Sequence, residues 1–167
     1  MGGTGTTPHL AAELFKSMAN VNIVRVNYKG AGPALNDLIG GQVQLTFATT
    51  ASGAPHVKSG RLRALAVTSA EPSTLVPGLP TVAASGPPGY ESIASYGLFA
   101  PARTPVALVQ RLNEETVKLM NTPDVKQKLF NISVEVVGGS PDAFAAMIKI
   151  EINKWGKVIR DAGIRDQ

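Results

Sequence analysis

Leu62-Arg63-Ala64-Leu65-Ala66-Val67-Thr68 sets the fold class of this chain. Apart from Arg63 it is a continuous apolar run of strand length, entered from Gly60. Such a run predicts a strand buried on both faces, as in a parallel sheet covered by helices on each side. Upstream, Val43 to Ala48 reads as a second strand. Val21-Asn22-Ile23-Val24-Arg25-Val26-Asn27-Tyr28 alternates as a third. Helical patterns lie between them. Leu10, Leu14, Phe15 and Met18 form a stripe, Ala34 to Ile39 is stopped by Gly40-Gly41, and a helix near Pro55 to Ser59 ends at Gly60. Strands alternating with helices predict an α/β layer structure with right-handed crossovers.

Downstream the pattern changes. Residues 71–90 hold Pro72, Pro77, Pro80, Pro87 and Pro88, so they read as a loop-rich excursion with one short helix at Thr81 to Ser85. Ser92 to Ala100 resumes as a strand. After Pro101 the chain turns helical. Pro105 to Asn121 presents Leu108, Val109, Leu112, Leu119 and Met120 on one face, and Pro123 to Phe130 follows. A short strand, Val134 to Val137, precedes Ser140-Pro141-Asp142, which caps a last helix carrying Phe144, Ile148, Ile152, Trp155 and Ile159. Those two long apolar stripes need a sheet to cover, and one short strand cannot supply it.

Composition narrows the function. With 44% apolar residues in 167, a largely disordered chain is excluded. No stretch approaches the roughly 18 uninterrupted apolar residues of a membrane span. Met1 runs straight into glycines without a leader pattern, so either a cytoplasmic chain or one parted from its leader is expected. The absence of cysteine removes disulfides and thiolate chemistry, and His9 and His56 have no second ligand at metal spacing. No metal and no cofactor are expected. The net charge of +4 is spread over scattered Lys and Arg with few aromatics, which gives no nucleic-acid platform.

Three turns share one chemistry: Gly3-Thr4-Gly5-Thr6-Thr7, Lys29-Gly30-Ala31-Gly32 and Thr49-Thr50-Ala51-Ser52-Gly53. Each precedes a helix. In an open parallel sheet such turns gather at the carboxyl ends of the strands, where ligands bind. The first of them, preceded by Gly2 and followed by Pro8-His9-Leu10, exposes backbone N–H groups at the positive end of a helix dipole. Thr6 or Thr7 can cap that helix, and Pro8 suits its start. Locally, a capped helix start is the commoner reading of this turn and an anion site the rarer one, since capping sequences outnumber anion sites. Amides and hydroxyls with no nucleophile beside a base describe recognition, not catalysis. A P-loop is excluded by the missing lysine, and Pro8 stands where a dinucleotide fingerprint has its third glycine.

The chain resembles the Bug/TctC solute receptors of tripartite tricarboxylate transporters. The likeness is carried by Gly3 to Phe15, by Val26-Asn27-Tyr28-Lys29-Gly30 with Pro33-Ala34-Leu35, and by Leu38-Ile39-Gly40-Gly41-Gln42-Val43. It runs on through Gly60 to Ser69, Leu79-Pro80-Thr81-Val82, Tyr96-Gly97-Leu98-Phe99-Ala100-Pro101, Thr104-Pro105 and Arg111-Leu112-Asn113 to the helix around Trp155. The resemblance implies a periplasmic-binding-protein-like (type II) fold: an open-sheet domain flanked by helices, residues 1–98, and helices of a second, incomplete domain, residues 99–167. It also implies a periplasmic, non-catalytic receptor closing on a small carboxylate and partnering membrane transporter subunits. Carried over as ligand-binding are Gly3, Thr4, Gly5, Thr6, Thr7, Lys29, Gly30, Ala31, Thr49 and Thr50. His9 is expected to pack or cap, and Tyr28 to pack.

Two departures stand out. The family's receptors are longer and begin with half of a first domain, so a truncated receptor, or a homodimer or domain swap that supplies the missing sheet, is expected. Many relatives also carry an aspartate after the position of Phe47, where this chain has Ala48-Thr49. Ligand identity is therefore not carried over. The competing reading is an oligomeric interaction module without a small-molecule ligand.

Overall fold

The computed structural model describes residues 3–165, so Gly2 of the first turn lies outside them. Its helices are α1 (Thr7–Ala19), α2 (Ala31–Ile39), α3 (Thr50–Lys58), α4 (Val82–Ser85), α5 (Val106–Met120), α6 (Pro123–Asn131) and α7 (Pro141–Asp161). Most boundaries follow local chemistry. Asn20 ends α1 in the left-handed conformation, its N–H returning to the Lys16 carbonyl. Gly40 donates to the Asn36 carbonyl at 2.8 Å, and Gly41 turns away at φ +73°. Helix α3 starts five residues before the expected Pro55. Thr49 takes the N-cap position, and its carbonyl accepts from Ser52 and Gly53 at 3.0 Å each, so Pro55 falls inside the helix.

The expected strands are extended segments that do not pair into a sheet here. Residues 21–28, 43–48, 62–68, 92–100 and 134–137 are non-helical, but no ladder forms among the described residues. Pairing is confined to one parallel bridge, Val67 with Thr81. The Val67 N–H donates to Pro80, the Val82 N–H donates back to Val67, and Ser92 donates to Thr68 at 2.8 Å. A strand needs a neighbour about 4.8 Å away that returns its hydrogen bonds. Alternating apolarity names the faces of a strand without supplying that neighbour. Nor is 62–68 buried on both faces, because Leu65 is 60% exposed.

The chain divides into two compact units. Unit 1 is Met1–Ala94 with Trp155–Gln167. Its core is made by Ala11 and Ala12 of α1, Ala34 and Leu35 of α2, Val82 of α4, and Tyr90. Tyr90 pins the proline-rich excursion to α1. Its hydroxyl donates to the Ala11 carbonyl at 2.9 Å and its ring meets Phe15 edge-on at 6.1 Å. Phe15 in turn leans on Phe47 at 5.8 Å.

Unit 2 is Ser95–Lys154. Phe144 of α7 packs on Phe99 at 5.4 Å and lies against Gly97, where any side chain would strike its ring. Ser140 caps α7 as expected, accepting from the Ala143 N–H at 3.2 Å. Helices α5 and α6 bury no residue, and Leu108, Leu112 and Leu119 of the α5 stripe stay exposed. No helix among the described residues is long and apolar enough to cross a membrane.

Candidate functional site

The turn before α1 is shaped by Gly5, which sits at φ +76°. Thr6 occupies the N-cap position of α1 without capping it. Its hydroxyl donates backwards to the Gly3 carbonyl at 2.8 Å, which corrects the expected capping role. The first helical N–H groups are thereby left open. Gly30 precedes α2 at φ +122°, ψ −178°, and has no side chain with which to cap. Thr49 precedes α3, and its hydroxyl turns to Ser52 at 3.0 Å instead of to the backbone.

These three uncapped helix starts surround one cleft of about 220 Å³. The first turn contributes Gly3, Thr6 and Pro8. Helix α2 contributes Gly30, Ala31, Ala34 and Leu35. The segment entering α3 contributes Thr46, Phe47, Ala48, Thr49 and Ser52. No charged side chain lines it, so its polarity comes from backbone N–H groups and hydroxyls. Of the residues carried over from the resemblance, Gly3, Thr6, Gly30, Ala31 and Thr49 meet here. Gly5, Thr7, Lys29 and Thr50 adjoin the cleft in sequence without lining it, and Lys29 is exposed. Ser52 was missed as a site residue, although it stands in the hydroxyl-rich turn Thr49 to Gly53. Phe47 and Leu35 carried no local signal, since packing alone brings them to the wall.

Thr4 faces elsewhere. It lines a second, polar cleft of about 380 Å³ with His9, Glu13, Lys16, Arg25 and Asn27. The Arg25 guanidinium donates to its hydroxyl at 3.0 Å. His9 is 1% exposed and braces the turn, its Nδ1 accepting from the Gly5 N–H at 3.0 Å. The neutral ring therefore carries its proton on Nε2, 3.9 Å from Glu13 Oε1. Burial pushes the His9 pKa below its ordinary value and nearby Arg25 pushes the same way, while Glu13 opposes them. Tyr28 donates to Asp37 at 2.7 Å, and this bond raises its phenol pKa. Among the described residues no group of three or more His, Asp or Glu could hold a metal ion.

The His9 geometry has a sign. An unfolded histidine titrates near 6.5, above the native His9, so the unfolded chain takes up protons first as the pH falls. Stability is complete above about pH 6.5 and declines below it, by up to about 1.4 kcal/mol per pH unit until the native ring also protonates. Urea unfolding between pH 5 and 8 should show this decline, flattened in His9→Gln. An equal slope in that variant assigns the acid sensitivity to carboxylates.

The chain is similar to several known proteins. The chain is 39% identical to the UPF0065 protein in the tcbD-tcbE intergenic region of Pseudomonas sp. (strain P51), over 94% of this chain and 47% of that one. It is 38% identical to the UPF0065 protein in the clcB-clcD intergenic region of Pseudomonas knackmussii, over 94% of both. Among solved structures, R. palustris Rpa4515 with adipate superposes with a TM-score of 0.84 at 39% identity, over 98% of this chain and 55% of that one. The chain thus spans about half the length of two of these relatives and nearly all of the third. Residues 1–164 match the tripartite tricarboxylate transporter family receptor, and the chain belongs to that family.

Proposed function

We propose that this chain is the carboxylate-gripping part of a periplasmic solute receptor, and that the 220 Å³ cleft takes one carboxylate of a small diacid. The carrying observation is the meeting of three helix N-termini, none with a side-chain cap, around one cleft without charged side chains. Orphan N–H groups and aligned dipoles favour an anion there, and they recognise it without chemistry being done on it. Adipate in the R. palustris Rpa4515 structure supports a dicarboxylate.

In this reading residues 1–98 are the receptor's second domain, and segments 21–28, 43–48 and 62–68 are strands of its open sheet. Residues 99–167 return as helices onto a first domain, which accounts for the exposed α5 stripe. Gly3, Thr6, Gly30, Ala31 and Thr49 touch the ligand, while Gly5, Thr7, Lys29 and Thr50 shape the turns that present it. Thr4 supports the first turn from behind, through Arg25. The surface of the closed receptor meets membrane transporter subunits. The same exposed stripe favours a second reading, in which a further copy of the chain covers it by dimerisation or domain swapping. Light scattering that shows a monomer at high micromolar concentration removes that reading.

The test is thermal unfolding of the chain with C4 to C6 dicarboxylates, monocarboxylates and a tricarboxylate. At a hundred times its dissociation constant a ligand adds about 2.7 kcal/mol, or a few degrees in Tm. Thr6→Ala, which frees the Gly3 carbonyl, is expected to weaken that ligand about tenfold while leaving the unliganded Tm within about 2 °C. Absence of a shift with every carboxylate at millimolar concentration overturns the proposal.

A further inference from the structure

We infer that the polar cleft on the other side of the first turn is a second anion site, taking a small oxyanion on the Arg25 guanidinium. The inference does not rest on the proposed solute cleft. Arg25 Nε is buried and has no hydrogen-bond partner, although Nη2 of the same group is engaged by Thr4. A buried guanidinium N–H without an acceptor is costly and rare in a folded protein, and it marks a place where an acceptor belongs. The surrounding charge selects the acceptor. Lys16 and Arg165 also line the cleft, and Glu13, its one carboxylate among the described residues, is gripped by Lys16 at 2.9 and 3.1 Å. His9 stays neutral, its pKa lowered by burial and by Arg25 itself.

The end of α7 reaches this cleft through Ala162, Gly163, Ile164 and Arg165. Its last carbonyls would repel an anion, but those of Val158, Ile159 and Arg160 already accept hydrogen bonds. Ala162 donates to Val158, Gly163 to Arg160 and Ile164 to Ile159 at 2.9 to 3.1 Å. What remains is a net positive hollow lined by the Arg25 guanidinium, a planar group whose N–H donors match the oxygens of a carboxylate or phosphate.

The experiment titrates the chain with inorganic phosphate and, separately, with acetate, each against sodium chloride at equal ionic strength, following thermal unfolding. The expected result is saturable stabilisation by one of the two oxyanions and none by chloride. Phosphate alone identifies a phosphate-type ligand, and acetate alone a carboxylate. Arg25→Gln is expected to weaken the effective anion about tenfold or more, as loss of a charged hydrogen-bond donor requires. Arg25→Lys keeps the charge without the fork, and it carries the comparison if the glutamine variant fails to unfold cooperatively. Its expected weakening is severalfold. Equal stabilisation by chloride, no response to either oxyanion, or an affinity unchanged in the variants each overturns the inference.

Discussion

Replacing Tyr90 with alanine is expected to destabilise unit 1 by about 3–5 kcal/mol, the range for truncating a large buried ring. Tyr90 is 1% exposed and is the largest fully buried side chain among the described residues. It is also the cross-link of an otherwise loosely held segment. The proline-rich residues 71–90 lie far from α1 in sequence, and the hydroxyl bond to the Ala11 carbonyl joins them across 79 positions. Burial pushes its phenol pKa well up, so the ring stays neutral and continues to donate at any pH the protein survives. Truncation opens a cavity beside Phe15 and leaves the Ala11 carbonyl without its side-chain partner. Tyr90→Phe retains the ring and is expected to cost only about 1 kcal/mol. Urea unfolding of both variants separates the two contributions. A loss below about 1.5 kcal/mol for the alanine variant would show that the site collapses readily around the missing ring.

Gly30→Ala is expected to cost about 1–3 kcal/mol, and to weaken the proposed carboxylate ligand tenfold or more. At φ +122°, ψ −178° the backbone occupies a region essentially reserved for glycine. A Cβ there would meet nothing within 4 Å, so the cost is conformational and not steric. The chain escapes the strain by rotating the peptides around position 30, which swings the first N–H groups of α2 away from the cleft. Gly32→Ala is the control. Its φ is ordinary and its surroundings are equally open, so better helix propensity should leave it neutral or slightly stabilised. Calorimetric titration of both variants with the carboxylate found by thermal unfolding decides the matter. Equal affinities for Gly30→Ala and the unaltered chain would exclude the α2 start from recognition.

The helices were legible because their signals are local. The stripe from Leu10 to Met18 gave α1, and Ser140-Pro141-Asp142 gave the start of α7. Pro55 misled, because a proline near a helix start reads as the start itself, whereas here the Thr49 carbonyl had already begun α3. Strands were legible only as apolar alternation. Pairing depends on a neighbour that no local pattern names, and Val67 finds its partner at Thr81 across a proline-rich loop.

At the proposed site, the glycine and hydroxyl turns named the three helix starts that line the cleft. Which side each residue faces was not readable. The positive φ of Gly5 sends Thr6 to one cleft and Thr4 to the other, and two threonines two residues apart look alike in sequence. His9 was expected to pack or cap from its place one turn into the helix, and it does so through the Gly5 N–H.

A wall built of glycine, alanine, proline, leucine, phenylalanine, threonine and serine also has a chemical silence. None of the residues lining the 220 Å³ cleft gains or loses a proton between about pH 5 and pH 9. Above the range in which His9 matters, the carboxylate proposed for this cleft has only its own carboxyl groups to titrate. The pH profile of its affinity would therefore trace the acid strength of the free ligand.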